Sequence, residues 1–163
     1  TAVHLPRGGM PALGDNPLFL GCADYRSTIA SNAESSGFTF PEGMRRHADK
    51  GTALVTDKDP GDAEIAEVVS QAAAHSCIVL GTYNGHILQG QLRLAKALAA
   101  TGLPMILVAL RNPYDLRNMP DHVAALAGWE YTRPLFDALW PVLNGTARPT
   151  GKLPLLTLTK AAE

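Results

Sequence analysis

Two cysteines, 6% aromatic residues and a formal charge of only −1 deprive several protein classes of support in this 163-residue sequence. Cys22 and Cys77 each sit at the margin of an apolar run, where small buried thiols are common, and two lone thiols make neither a disulfide framework nor a metal-ligand set. Lys plus Arg count 14 against 15 Asp plus Glu, so the long-range attraction that nucleic acid or an anionic membrane would need is missing. Neither is an expected partner. No run approaches the roughly 18 to 20 apolar residues of a membrane span, and Thr1 to Gly14 lacks both the basic head and the apolar core of a signal peptide. A soluble chain is expected. Its start at Thr1 is expected of a chain processed, or cut from something longer.

The catalytic motifs are equally sparse. The histidines at 4, 47, 75, 86 and 122 show no metal-ligand spacing with one another or with the cysteines. There is no Gly-x-Ser-x-Gly elbow, and neither cysteine has a recognisable His partner, so nucleophilic catalysis lacks a foundation. No metal and no cofactor are expected.

What is present is a core. At 46% hydrophobic and 18% charged, the chain suits a single compact domain. Pro6, Gly8, Gly9, Pro11 and Gly14 interrupt residues 1–16 so often that they read as a linker or extended segment, with the domain occupying 17–163. From Pro17 onward short apolar runs alternate with longer stretches of helical period, the signature of βα units feeding a parallel sheet. Strands are expected at Pro17–Cys22, Thr52–Thr56, Ser76–Gly81, Pro104–Leu110 and Val123–Ala127, with a final edge strand at Gly151–Leu158. Helices are expected at Asp24–Glu34, Phe40–Lys50, Asp62–His75 with Asp59 or Asp62 as N-cap, Ile87–Ala100, and Pro134–Leu143. The fold class is therefore α/β, a three-layer sandwich with a mostly parallel, doubly wound sheet of five or six strands and helices on both faces.

In such sheets ligands lie beyond the carboxyl ends of the strands, beside the point where strand order reverses. Candidate ligand-binding residues are therefore Asp24, Tyr25 and Arg26 after the first strand, Thr82, Tyr83, Asn84 and His86 after the third, and Arg111 after the fourth. Each has a plainer reading. An Asp after a strand often caps the next helix, and Asp57 and Asp59, close enough to be paired carboxylates, flank Lys58 and precede Pro60 in what reads as a solvated turn. Gly81 to Gly85 precedes a helix as a phosphate cradle would, yet it lacks the third glycine of a dinucleotide fingerprint and the Gly-Lys-Ser/Thr of a P-loop. Trp129, Glu130 and Tyr131 suit either a sugar face, an adjoining domain or core packing. Asn144-Gly145-Thr146 is both a glycosylation sequon and a helix-ending Asn-Gly.

Read in order, Cys77 to Gly81, Gln91 to Ala100, Gly102 to Val108, Arg111-Asn112-Pro113-Tyr114-Asp115-Leu116, Val123 to Ala127 and Gly145 to Pro154 resemble the C-terminal domain of family 3 glycoside hydrolases, most nearly bacterial β-N-acetylglucosaminidases. The most specific pieces are Asn112 to Leu116 and Pro149 to Pro154, and the likeness spans residues 64 to 158. It implies an α/β sandwich packed against an N-terminal (β/α)8 barrel of about 250 residues. It also implies that the aspartate nucleophile, and in the N-acetylglucosaminidase branch the Asp-His acid/base pair, reside on that barrel. No position here matches either motif, so no catalytic residue is carried over.

In the β-glucosidase branch the acid/base glutamate comes from the loop after the strand equivalent to Cys77–Gly81. Here that loop, Thr82 to Arg93, has no carboxylate, whereas retaining hydrolysis needs two carboxyl groups about 5 Å apart. The resemblance thus implies an accessory domain, inactive alone, with a barrel as partner, carbohydrate as a second candidate partner, and either the bacterial cytoplasm or the exterior as compartment. The rival expectation is a stand-alone flavodoxin-like module binding a small ligand or nucleotide through Gly81 to His86, and a third is a pure interaction domain.

Overall fold

The computed structural model describes residues 2–4, 9–23, 38–117 and 119–151, with only the backbone of 2–4. The strands are β1 (Ala2–His4), β2 (Pro17–Cys22), β3 (Thr52–Thr56), β4 (Cys77–Thr82), β5 (Met105–Ala109) and β6 (Ala124–Ala127). The helices are α1 (Phe40–His47), α2 (Asp62–Ala72), α3 (Gln89–Ala100) and α4 (Arg133–Leu143). They form one sheet in the order β1-β6-β5-β4-β2-β3, with β1 antiparallel and the other pairings parallel.

Alternation along each buried strand sends successive side chains to opposite faces, and both faces are covered. Leu18, Leu20, Ile78, Leu80, Met105 and Leu107 meet Ile65 and Val68 of α2 and Leu94 and Leu98 of α3. Phe19, Val79, Ile106, Val108 and Leu126 meet Phe40 and Met44 of α1 and Phe136 and Leu139 of α4. Burying each such large side chain contributes about 1.5–3 kcal/mol, so the two layers carry the fold. The expected three-layer α/β sandwich is the architecture found.

Helix ends follow local chemistry. Thr39 caps α1, its hydroxyl accepting the amide of Glu42 at 3.3 Å and donating to that residue's carboxylate at 2.8 Å. Thr132 caps α4 in the same way through the amide of Leu135. The expected N-cap of α2 is corrected: Gly61 occupies it without a side-chain bond, and Asp62 lies in the first turn. Asp59 serves elsewhere, accepting the amide of Gly90 in the first turn of α3 at 2.7 Å.

The N-terminal segment, expected as a linker or extended segment, includes β1: Ala2–His4 pairs antiparallel with β6, and the backbone of Asn16 is tied to Ser76 by two bonds, its carbonyl accepting the Ser76 amide and its amide donating to the Ser76 hydroxyl. Three residues are too few to show a period, and an edge strand needs partners on one side alone. The helix expected at Asp24–Glu34 and nearly all of the strand expected at Gly151–Leu158 lie outside the described residues.

Candidate functional site

Strand order reverses between β2 and β4, which places the expected crevice above Gly21 and Gly81, partners in register. Among the described residues that crevice is filled by the protein itself. A Cβ on Gly81 would lie 2.4 Å from Cδ1 of Phe40, so the glycine is needed for the ring to seat. Tyr131 locks the arrangement: its hydroxyl accepts the amide of Phe40 at 2.7 Å and donates to the carbonyl of Cys22 at 2.8 Å. Its ring stands edge-on to Tyr83 and close to Phe136, with centroids 5.4 and 5.3 Å away.

The loop after β4 is equally committed. Asn84 adopts a left-handed backbone, φ 56°, and its carbonyl accepts the amides of Ile87 and Leu88 to launch α3. Buried Gln91 reaches back from α3, its Oε1 accepting the amide of Tyr83 at 2.8 Å while its Nε2 donates to the carbonyls of Lys58 and Tyr83. The amides of Gly85 and His86 donate to Oδ2 and Oδ1 of Asp115 at 2.9 and 2.8 Å. Asp115 has no exposed surface, and it is delivered by a 3-10 turn at Pro113–Leu116 that Asn112 caps by accepting the amide of Tyr114. Two adjacent amides converging on one anion are what a phosphate cradle uses. Here the anion is the protein's own carboxylate.

An exposed rim surrounds this clamp. Arg111 donates to the hydroxyl of Tyr83 at 2.6 Å and lies 5.5 Å from its ring centroid, while Arg117 lies 5.6 Å from that of Tyr114. His86, with Nδ1 3.3 Å from Oδ1 of Asp115, has its ring 6.2 Å from Tyr114. Ile87, Tyr114 and Trp129, exposed by 65%, 43% and 40%, follow β4, β5 and β6 respectively and give the rim an apolar component. Trp129 holds a left-handed backbone at φ 72°, uncommon for so bulky a residue.

Of the expected site residues, Thr82, Tyr83, Asn84, His86 and Arg111 come together at this edge, whereas Asp24, Tyr25 and Arg26 lie outside the described residues. Thr82, Tyr83 and Asn84 are buried; His86 and Arg111 reach the surface. The hydroxyl of Thr82 has no hydrogen-bond partner among the described residues. Sequence reasoning missed Asp115 and Gln91 as members, because their partners are 30 and 8 residues away. The usable signal was a capped Asn-Pro turn at the same sheet edge as a Gly loop that lacks a carboxylate of its own.

Asp57 and Asp59 lie exposed in the turn expected to be solvated, the amide of Asp57 donating to Glu64 at 2.9 Å and Asp59 accepting that of Gly90. Among the described residues no group of three His, Cys, Asp or Glu could hold a metal, and no helix is long and apolar enough to cross a membrane. Trp129 and Tyr131 divide the aromatic loop between surface and core. Asn144 and Gly145 end α4, with the amide and hydroxyl of Thr146 donating to the Asn144 side chain.

No sequence profile of a known family matches the chain, and no curated protein sequence does. Solved structures do. A glycoside hydrolase family 3 β-N-acetylglucosaminidase from Paenibacillus sp. str. FPU-7 is similar with a TM-score of 0.74 and 21% identity over 88% of this chain. A fungal multi-domain family 3 β-N-acetylglucosaminidase gives 0.67 and 19% over 90%, and a β-glucosidase from Listeria innocua gives 0.68 and 15% over 90%. This chain spans 28%, 16% and 23% of those chains. The described fold is therefore that of one domain of family 3 glycoside hydrolases.

Proposed function

We propose that this chain is the accessory C-terminal domain of a family 3 glycoside hydrolase that cleaves β-N-acetylglucosaminides, and that it performs no hydrolysis alone. One observation carries the reading. The loop after β4 contains no carboxylate between Thr82 and Arg93, and Asp115, which reaches into it, is wholly buried with both oxygens accepting backbone amides. A carboxylate so held neither protonates a leaving oxygen nor attacks an anomeric carbon, because it cannot reach either.

The domain's part is then to dock on a (β/α)8 barrel and to line the approach to its site. His86 and Arg111, with Tyr114 and Trp129 beside them, are the groups placed to meet that barrel or a sugar. Thr82, Tyr83 and Asn84 shape the rim from beneath, and Asp24, Tyr25 and Arg26 belong to the same proposal. The strand order, 2-1-3-4-5 over the five parallel strands, is also that of flavodoxin-like modules, but the occupied amides of Gly85 and His86 weigh against phosphate there.

Sequencing the transcript upstream of the Thr1 codon tests the proposal. It should continue in frame into a barrel of about 250 residues carrying the nucleophile aspartate and an Asp-His pair. An initiator codon directly before Thr1, or an unrelated upstream domain, would overturn it.

A further inference from the structure

The opposite edge of the sheet, where β2 begins and α1 and α4 end, holds a cavity of about 680 Å³ that neither the fold nor the proposed function uses. Met10, Leu13, Asp15, Asp49, Trp140 and Asn144 are among its lining residues. Its volume is that of small-molecule sites, about 300–1,000 Å³.

Both walls are fixed. Ser76 donates its hydroxyl to the carbonyl of Leu13 at 2.7 Å, accepts the amide of Asn16 at 3.0 Å, and sends its own amide to the carbonyl of Asn16 at 2.9 Å. Gly14, at φ +71°, permits the approach: a Cβ there would lie 2.6 Å from that of Ser76. Met10 and Leu13 then pack on the core layer beneath α1 and α4. On the facing side the His47 ring stacks on Trp140 with centroids 5.9 Å apart and planes 17° apart, and Asp137 holds its Nε2 at 2.9 Å. Phe19 supports the indole from within, 6.4 Å away.

The lining favours one chemistry. Asp15 and Asp49 offer acceptors, Lys50 is engaged by Asp15 at 2.9 Å, and α1 and α4 both bring their carbonyl ends here. A helix C-terminus carries partial negative charge, so phosphate and other anions are disfavoured. Hydrogen-bond donors are welcome, and Met10, Leu13 and the half-buried indole edge left between His47 and Phe19 give the lining an apolar part. A pyranose supplies both, hydroxyls around its ring and C–H bonds on its face. We propose that this cavity binds an uncharged sugar of one or two pyranose rings, at a site independent of the rim at the carboxyl ends of the strands.

The chain has two tryptophans, so Trp129→Phe leaves Trp140 as the sole indole reporter. Titration of that variant with N,N′-diacetylchitobiose and with cellobiose should change its emission saturably for at least one of them, with a dissociation constant on the order of 1 mM, and sodium phosphate should have no effect. Asp15→Asn with Asp49→Asn should weaken binding about tenfold, and Ala12→Phe, which fills the cavity, should abolish it. Fluorine NMR of the unsubstituted chain carrying fluorotryptophan provides the same reading if Trp129→Phe does not fold. No saturable change with either disaccharide, a response that survives Ala12→Phe, or a response to phosphate instead would overturn the proposal.

Discussion

Asp115 holds His86 through its backbone, Oδ1 accepting the His86 amide at 2.8 Å from a position with no solvent exposure. The carboxylate's other oxygen takes Gly85, so both lone amides at the start of the α3 approach are satisfied by one side chain. An amide in its place would keep one accepting oxygen and present an NH2 to the other N–H donor. Asp115→Asn should therefore lower unfolding free energy by about 1–3 kcal/mol in urea titration, with the m-value unchanged. Equal stability would show that the clamp contributes nothing.

The same occupancy predicts that nucleotides and inorganic phosphate do not bind the loop after β4. Titration of labelled protein with AMP and phosphate should leave the amide resonances of Gly85 and His86 unmoved. Saturable shifts at those two amides would restore the flavodoxin-like alternative.

Gly81 and Phe40 are predicted to be energetically coupled. Gly81→Ala places a methyl 2.4 Å from the Phe40 ring, and crowding of this kind costs about 1–3 kcal/mol. Phe40→Leu is destabilising by itself through lost packing, but in its background Gly81→Ala should cost clearly less. Additive losses in a double-mutant cycle would contradict the filled crevice.

Burial pushes the Cys77 thiol up from 9.0 to about 12. The folded state thus keeps its proton where the unfolded chain has begun to lose it, so this contribution to stability is complete below about pH 9 and disappears as pH rises through about 12. In a Cys22→Ala background, Cys77 should resist iodoacetamide at pH 8 until the protein unfolds, and alkylation should track the unfolding rate. Rapid labelling of the native protein would place the thiol outside the core.

Much of the fold was legible in the sequence because the buried strands are uninterrupted apolar runs with Gly or Pro at their margins. Pro17–Cys22 and Thr52–Thr56 are found at the residues expected, and β4 and β5 shift by a residue or so. The β1 strand was illegible because Ala2–His4 is too short to carry a period and gains its order only from β6. At the rim, the loops were legible as strand ends, but their inner supports were not. Asp115, Gln91 and Tyr131 act on residues brought near by the sheet, and nothing local in the sequence distinguishes a clamping aspartate from a solvated one. Ser76 is the same case at the other edge, a lone serine whose partners lie 60 and 63 residues back.

The central claim is that this polypeptide supplies no carboxyl pair for glycoside hydrolysis, and steady-state assay of the purified chain on 4-nitrophenyl N-acetyl-β-D-glucosaminide tests it most directly. The account predicts release of nitrophenol no faster than in buffer. Turnover above that level, removed by substituting a single Asp or Glu within residues 1–163, would contradict it.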